Sequence, residues 1–211
     1  MQETRNLSTY RQSLKDRILE TAMSLFVRKG IRAVKMDDIA NMLSISKRTL
    51  YEVYSDKEHL LYEGIKMYQD RRHEQMKEFA ARSSNVMDVI LQAYKLNMES
   101  FKETVPVFFD DLEKYPAIRE YFEKEKKNTR TQFVDFLRRG IEEQYFRDGI
   151  NLELIAHMFD ALGKYIMSAQ LYRHYPMDEI WQNIVLVSLR GICTAGGVKV
   201  LDAFLFNETE V

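Results

Sequence analysis

The stretch from Met36 to Tyr54 reads MDDIANMLSISKRTLYEVY, and its reading decides the fold of this 211-residue chain. Ile39, Ala40 and Leu43 fall on one face of a helix. Ser44 and Ile45 interrupt the pattern. Ser46 is a favourable N-cap, because its hydroxyl accepts from a free backbone N–H of the following turn. Leu50, Val53 and Tyr54 then restore the helical spacing. Two helices joined by so short a turn must cross steeply, and Ala40 is small where the second would press on the first. This is the pattern of a helix-turn-helix, whose second helix enters the DNA major groove by its N-terminal end. The side chains expected there are Lys47, Arg48, Thr49 and Tyr51. Lysine and arginine reach phosphate or guanine O6/N7, and threonine meets a base edge or a thymine methyl. An ordinary αα-hairpin with a solvated Lys-Arg pair would use the same spacing, so the flanking sequence has to separate the two.

Ser13 to Lys29 reads as a helix with Leu14, Ile18, Ala22, Leu25 and Phe26 as its apolar stripe and Gly30 as its C-cap; residues 1–12 read as a polar, loose arm. A third helix is the least that buries the inner faces of a helix-turn-helix. After Tyr54, Ser55 and Glu58 have the spacing of a capping box for a helix from Asp56 to Ala81. Lys57 sits in that first turn, where free N–H groups already favour an anion such as a DNA phosphate, the alternative being a solvated lysine. Charge agrees with a DNA partner. Residues 1–57 hold 11 basic and 7 acidic residues, a net +4, against 20 and 25 in the remainder, a net −5.

The order of these features is a helix, Gly30, Ile39-Ala40, a short turn, Ser46-Lys47-x-Thr49-Leu50-Tyr51, then Tyr54-Ser55-x-Lys57-Glu58-x-Leu60. It resembles the DNA-binding domain of the TetR family of transcriptional regulators across residues 13–64. Ser44 stands where the family usually has Gly, Lys35 where Ser or Thr is usual, and Tyr54 where Phe is usual. Ser44 is therefore expected to adopt the positive φ that glycine tolerates more cheaply. Lys35 gives up a cap and offers a phosphate contact; Tyr54 and Lys57 are also assigned to phosphates. The resemblance implies an all-α bacterial protein. A three-helix DNA-binding domain at residues 1–57 would precede a helical-bundle effector-binding and dimerisation domain at residues 58–211. It further implies a homodimeric repressor that binds a palindromic double-stranded operator and is released by a small molecule.

Only 3 prolines and 8 glycines occur, which favours long helices. Val86–Glu103, Val105–Tyr115, Pro116–Tyr145, Asn151–Tyr172, Asp178–Cys193 and Val198–Phe206 all read as helices. Glu123 to Arg130 is strongly charged and reads as a solvated face. In the 151–172 helix, Ile155, Phe159, Leu162 and Ile166 form one apolar stripe, and Met158, Ala161, Tyr165 and Ala169 a neighbouring one. The 178–193 helix is apolar nearly all round. A helix apolar on every side is buried on every side. In a body this small that suggests a second copy, although a central helix of a monomer has the same pattern. The family's dimer interface is a four-helix bundle of these two helices from each subunit, so Ile155, Phe159, Leu162, Ile166, Ile180, Ile184 and Val187 are assigned to it.

The body is rich in aromatics and methionine, which suit an apolar or aromatic effector but equally fill a core. Tyr94, Met98, Phe133, His157 and Tyr165 are the effector candidates. Catalysis finds no support: His59, His73, His157 and His174 are scattered, no metal-ligand pair or phosphate loop occurs, and no cofactor is expected. Cys193 lies in an apolar helix, reads as packing, and as the lone cysteine excludes an internal disulfide. No apolar run nears the roughly 18 residues needed to span a bilayer. The N-terminus lacks an apolar signal region. A cytoplasmic protein with no membrane partner is the simplest expectation. The competing readings are a helical protein-interaction module that keeps the head fold without reading DNA, and a regulator with no small-molecule effector.

Overall fold

The computed structural model describes residues 2–207; Met1 and residues 208–211, the end of the expected 58–211 domain, lie outside the described residues. The chain is all-α. Its helices are α1 (Gln2–Lys29), α2 (Met36–Met42), α3 (Lys47–Val53), α4 (Lys57–Arg82), α5 (Val86–Lys102), α6 (Pro106–Leu112), α7 (Pro116–Glu142) and α8 (Leu152–Ser168). A short 3-10 turn (Leu171–Arg173) follows. α9 (Met177–Ile180) then passes through a π-helical segment (Trp181–Leu186) into α10 (Val187–Arg190), and α11 (Ala195–Asn207) comes last. The nearest approach to β structure among the described residues is a single bridge between Phe146 and Cys193.

The chain forms two compact units, Met1–His73 with Glu103–Phe122, and Glu74–Lys102 with Glu123–Val211. In the first, the expected stripe of α1 is buried in full: Leu14, Ile18, Ala22, Leu25 and Phe26 all face the core. Ile39 and Ala40 of α2, Leu50 of α3, and Leu60 and Leu61 of α4 complete it. Gly30 ends α1 at φ +84°, with its N–H donating to Phe26 O at 2.9 Å. A Cβ there would stand 2.7 Å from Val107 Cγ1, so backbone conformation and packing both require glycine.

The second unit packs Val86, Met87, Ile90 and Tyr94 of α5 against Leu137 of α7, Leu186 and Leu189 of the α9–α10 rod, and Leu201 of α11. Pro116 opens α7 and Pro106 opens α6, each at a position with no N–H obligation. Asn151 caps α8, its side chain accepting from Leu154 N–H at 3.1 Å.

Four local expectations change. α1 runs from Gln2 rather than Ser13, since neither proline nor glycine interrupts residues 2–29. Asp56, not Ser55, caps α4: Asp56 Oδ1 accepts from His59 N–H at 2.8 Å, while the Ser55 hydroxyl donates to Asp56 Oδ2 at 2.9 Å. Those two bonds hold the Asp56 carboxyl below its ordinary range. α8 stops at Ser168, and Gln170 turns the chain at φ 51°. The expected 178–193 helix is not uniform, because residues 181–186 are π-helical.

Candidate nucleic-acid interface and interior cavity

The turn between α2 and α3 is built by short bonds. Ile45 N–H donates to Ala40 O at 3.0 Å, and Ser44 adopts φ 54°, the left-handed conformation expected where glycine is missing. Ser46 caps α3 as its side chain demands. Its hydroxyl accepts from Thr49 N–H at 3.0 Å and bonds the Thr49 hydroxyl at 2.8 Å. Leu50, fully buried, anchors α3 from beneath. The helix therefore shows its first turn to solvent while its apolar side is fixed.

On that outer side Lys47, Arg48 and Tyr51 are exposed and Thr49 is half-buried. Arg48 Nε donates to Glu52 at 2.9 Å on a side chain that is 88% exposed, so the pair is weak and easily exchanged. Lys47 pairs with Asp37 of α2, whose carboxylate holds the ammonium pKa above its ordinary value. Lys35 is exposed at the N-cap of α2, where Asp38 accepts its backbone N–H at 2.8 Å. The outer rim of α2 and α3 thus exposes three cationic side chains, two of them in surface ion pairs that a phosphate can exchange.

Two of the residues assigned to phosphates are placed differently. Tyr54 is 4% exposed and stacks edge-on with His59 at 5.4 Å. Burial, with Glu63 and Asp16 near, pushes its phenol up to about 12. From this position the ring serves the core and does not reach a phosphate. Lys57 turns back across the unit: its ammonium donates to Ile31 O at 2.9 Å and Val34 O at 3.0 Å, and burial lowers its pKa. It ties α4 to the connection in front of α2. The carbonyls of the α1–α2 connection outcompete solvent for it, which sequence spacing does not reveal.

The second unit has a cavity of about 390 Å³, open on one side to solvent, among α5, α7, α8 and the π-helical segment. Phe133, Phe136, Phe159 and Trp181 make aromatic walls; Thr129, Arg130 and Asp160 form a polar end. Of the five effector candidates, only Phe133 lines it. Tyr94 is buried against Trp181 and Phe204, and Met98 packs on the same core. His157 meets Arg130 from outside, and Tyr165 is 57% exposed. Arg130, which also lines the cavity, belongs by sequence to the charged run 123–130 that reads as a solvated face. The signal was its helical spacing to Phe133, which puts both on one side of α7.

The assigned dimer residues split. Ile166 and Ile180 are buried within the chain, Ile155 and Phe159 pack on its core, and Leu162 and Ile184 are half-buried. Val187 is 58% exposed. The outward face of α8 is the neighbouring stripe, with Leu154, Ala161 and Tyr165 exposed and Met158 half-buried. Burial inside one subunit claims the stripe with the larger side chains, Ile and Phe. Cys193 is buried, donates to Leu189 O at 3.3 Å, and has its thiol pushed up to about 11, so it stays protonated and inert at neutral pH.

Residues 18–63, which hold α2, the turn, α3 and most of the α1 stripe, match the family described as bacterial regulatory proteins, tetR family. Through this N-terminal segment the chain is similar to TetR-family regulators. It is a DNA-binding transcriptional regulator with an N-terminal helix-turn-helix followed by a helical region. Among TetR-family relatives it is 25% identical over 148 residues to the HTH-type transcriptional repressor KstR2 of Mycobacterium tuberculosis, covering 68% of this chain and 74% of that one. It is 35% identical over 52 residues to IcaR, a negative transcriptional regulator of the biofilm operon icaADBC in Staphylococcus epidermidis, covering 25% of this chain and 28% of IcaR. Two solved structures share the fold. KstR2 of Mycobacterium tuberculosis has a TM-score of 0.56 at 23% identity, over 85% of this chain and 95% of that one. A regulator from Saccharomonospora viridis in complex with choline has a TM-score of 0.67 at 19% identity, over 87% and 99%. No helix among the described residues is long and apolar enough to cross a membrane, and none of their His, Cys, Asp and Glu residues cluster in a way that could hold a metal ion.

Proposed function

We propose that this regulator is a homodimeric repressor of a palindromic operator, released when a small apolar molecule fills the cavity of its second unit. The observation that carries the reading is the capped, outward-facing first turn of α3, where Lys47, Arg48 and Tyr51 are exposed above a buried Leu50, the two cations held only by surface ion pairs to Asp37 and Glu52. Such a turn meets base edges in the major groove, and the exposure of Lys35 at the start of α2 supports its assignment to the phosphate backbone. Lys57 and Tyr54 contribute by holding the head in shape.

A monomer presents one recognition helix. Two, about 34–36 Å apart, read both halves of a palindrome from one side of the duplex. The exposed apolar stripe of α8 with Val187 of α10 supports pairing with a second copy, because an exposed run of this kind is stable when covered. The aromatic cavity supports a small-molecule effector, its volume lying at the lower end of small-molecule sites.

The test is fluorescence anisotropy of the protein on the DNA upstream of its own gene and on a scrambled duplex, across a salt series. Tight, salt-steep binding to the upstream DNA alone is expected. Equal, weak binding to both duplexes would remove the operator reading.

A further inference from the structure

The geometry points to a neutral hydroxyl-bearing apolar molecule as the ligand of the second-unit cavity, its hydroxyl bridging Arg130 and Asp160. This rests on the cavity being the effector site.

The cavity is apolar over most of its wall, so the body of the ligand is hydrocarbon or aromatic. Just behind its polar end lie two loose ends of opposite kind, each without exposed surface, which a ligand reaches when the part-exposed Arg130 and Asp160 side chains turn toward the cavity. Arg130 Nε carries a buried N–H with no hydrogen bond, and Asp160 Oδ2 is a buried acceptor with none. The two side chains approach only through Arg130 Nη2, at 3.5 Å from Asp160 Oδ2, too long for a hydrogen bond. Arg130 Nη2 is already turned to His157 Nδ1, which must accept, since guanidinium only donates. Nε and Oδ2 are what remains.

A group that satisfies both must accept from Nε–H and donate to Oδ2. A hydroxyl does both with one oxygen. A carboxylate would accept from Arg130 but set a second negative charge against Asp160. An ammonium would donate to Asp160 but meet the guanidinium. The opposite charges of Arg130 and Asp160 cancel, so the polar end favours a group with no net charge. The nearby cations do not alter this: Lys126 is paired with Glu123 at 3.6 Å, and Lys164 is exposed, where solvent and salt screen it. A site that leaves a buried donor and acceptor unpaired discriminates strongly in favour of the ligand that pairs them.

Trp181 is the single tryptophan of the chain and lies in the cavity wall, so its fluorescence reports occupancy without a label. The experiment titrates the full chain with decanol, decanoate and decylammonium, which share one apolar body. Decanol is expected to bind roughly tenfold or more tighter than either ion. Asp160→Asn removes the repelling charge and should raise affinity for decanoate; Arg130→Gln should raise affinity for decylammonium. The wild-type ranking stands whether or not the variants fold. Equal binding of all three by the wild type overturns the hydroxyl assignment and leaves the cavity as a binding site. Silence of Trp181 toward all three overturns the cavity reading beneath it.

Discussion

Asp111 Oδ2 accepts the backbone N–H of Arg32 at 2.8 Å, joining α6 to the connection that precedes the helix-turn-helix. Asp111 is 3% exposed, one of two buried polar residues among the described ones, and its other oxygen takes Lys114 Nζ at 3.2 Å. From the other side Lys57 holds the carbonyls of Ile31 and Val34. The connection between α1 and α2 is thus gripped by a carboxylate on its N–H and an ammonium on its carbonyls. The position of α2, and with it α3, depends on that grip.

Asp111→Ala is therefore expected to cost about 1–3 kcal/mol of stability, because a part-buried N–H loses a charge-assisted partner and Lys114 loses its buried carboxylate. Urea denaturation checks the stability. Anisotropy on operator DNA should show weaker binding even at temperatures where the variant is fully folded. Unchanged DNA affinity would mean that the grip does not position the head.

Ser44 and Gly30 make an opposed pair. Ser44 pays backbone strain at φ 54°, so Ser44→Gly should stabilise by about 0.5–1 kcal/mol. Gly30→Ala should destabilise, as φ +84° and the Val107 methyl both oppose a Cβ. Thermal melts of both variants give the two signs directly.

Arg48 is 88% exposed and held only by Glu52, so Arg48→Ala should leave the melting temperature nearly unchanged. If Arg48 reads a guanine, the substitution costs about 1–3 kcal/mol of binding and relaxes preference at that base pair. A uniform loss on all duplexes, with a shallower salt slope, would make it a phosphate contact instead. Competition with single-base operator variants tells them apart.

Alkaline pH should expose the buried phenol of Tyr54. Its folded pKa, about 12, lies above the ordinary 10.0, so the folded state keeps the proton where the unfolded chain loses it. The resulting stability is complete below pH 10 and falls as pH rises from there toward 12. Urea midpoints of Tyr54→Phe should fall less over that window than those of the wild type. Cys193 adds a similar decline from its ordinary 9.0 toward 11, which the comparison cancels because both proteins contain it.

Tyr165→Glu places a charge on the exposed stripe of α8, and Val187→Glu does the same on α10. Both should convert the proposed dimer to monomer in sedimentation and weaken operator binding, with little loss of subunit fold. Ile155→Val, altering the inward stripe, should change stability by about 0.5–1.5 kcal/mol and leave the mass unchanged.

The helix-turn-helix, its Ser46 cap, the left-handed Ser44 and the buried stripe of α1 were all legible in the sequence, because each is set by residues within a turn or two of one another. Capping, turn conformation and the period of apolar residues are local chemistry, and local chemistry is written in order along the chain. The direction in which a long side chain turns is not. Lys57 could serve solvent, a phosphate or a carbonyl by its position in the sequence; packing of α4 beside the α1–α2 connection chose the carbonyls. The inner and outer stripes of α8 are equally apolar on paper, and only the placement of α5 and α7 decided that Phe159 faces the core while Tyr165 faces out. Arg130 looked like part of a charged surface until the fold formed an aromatic cavity beside it. The sequence by itself determined the helices, the reading head and the family resemblance. The tertiary structure decided which face each helix buries and which polar groups are left without partners, because those depend on neighbours distant in the chain.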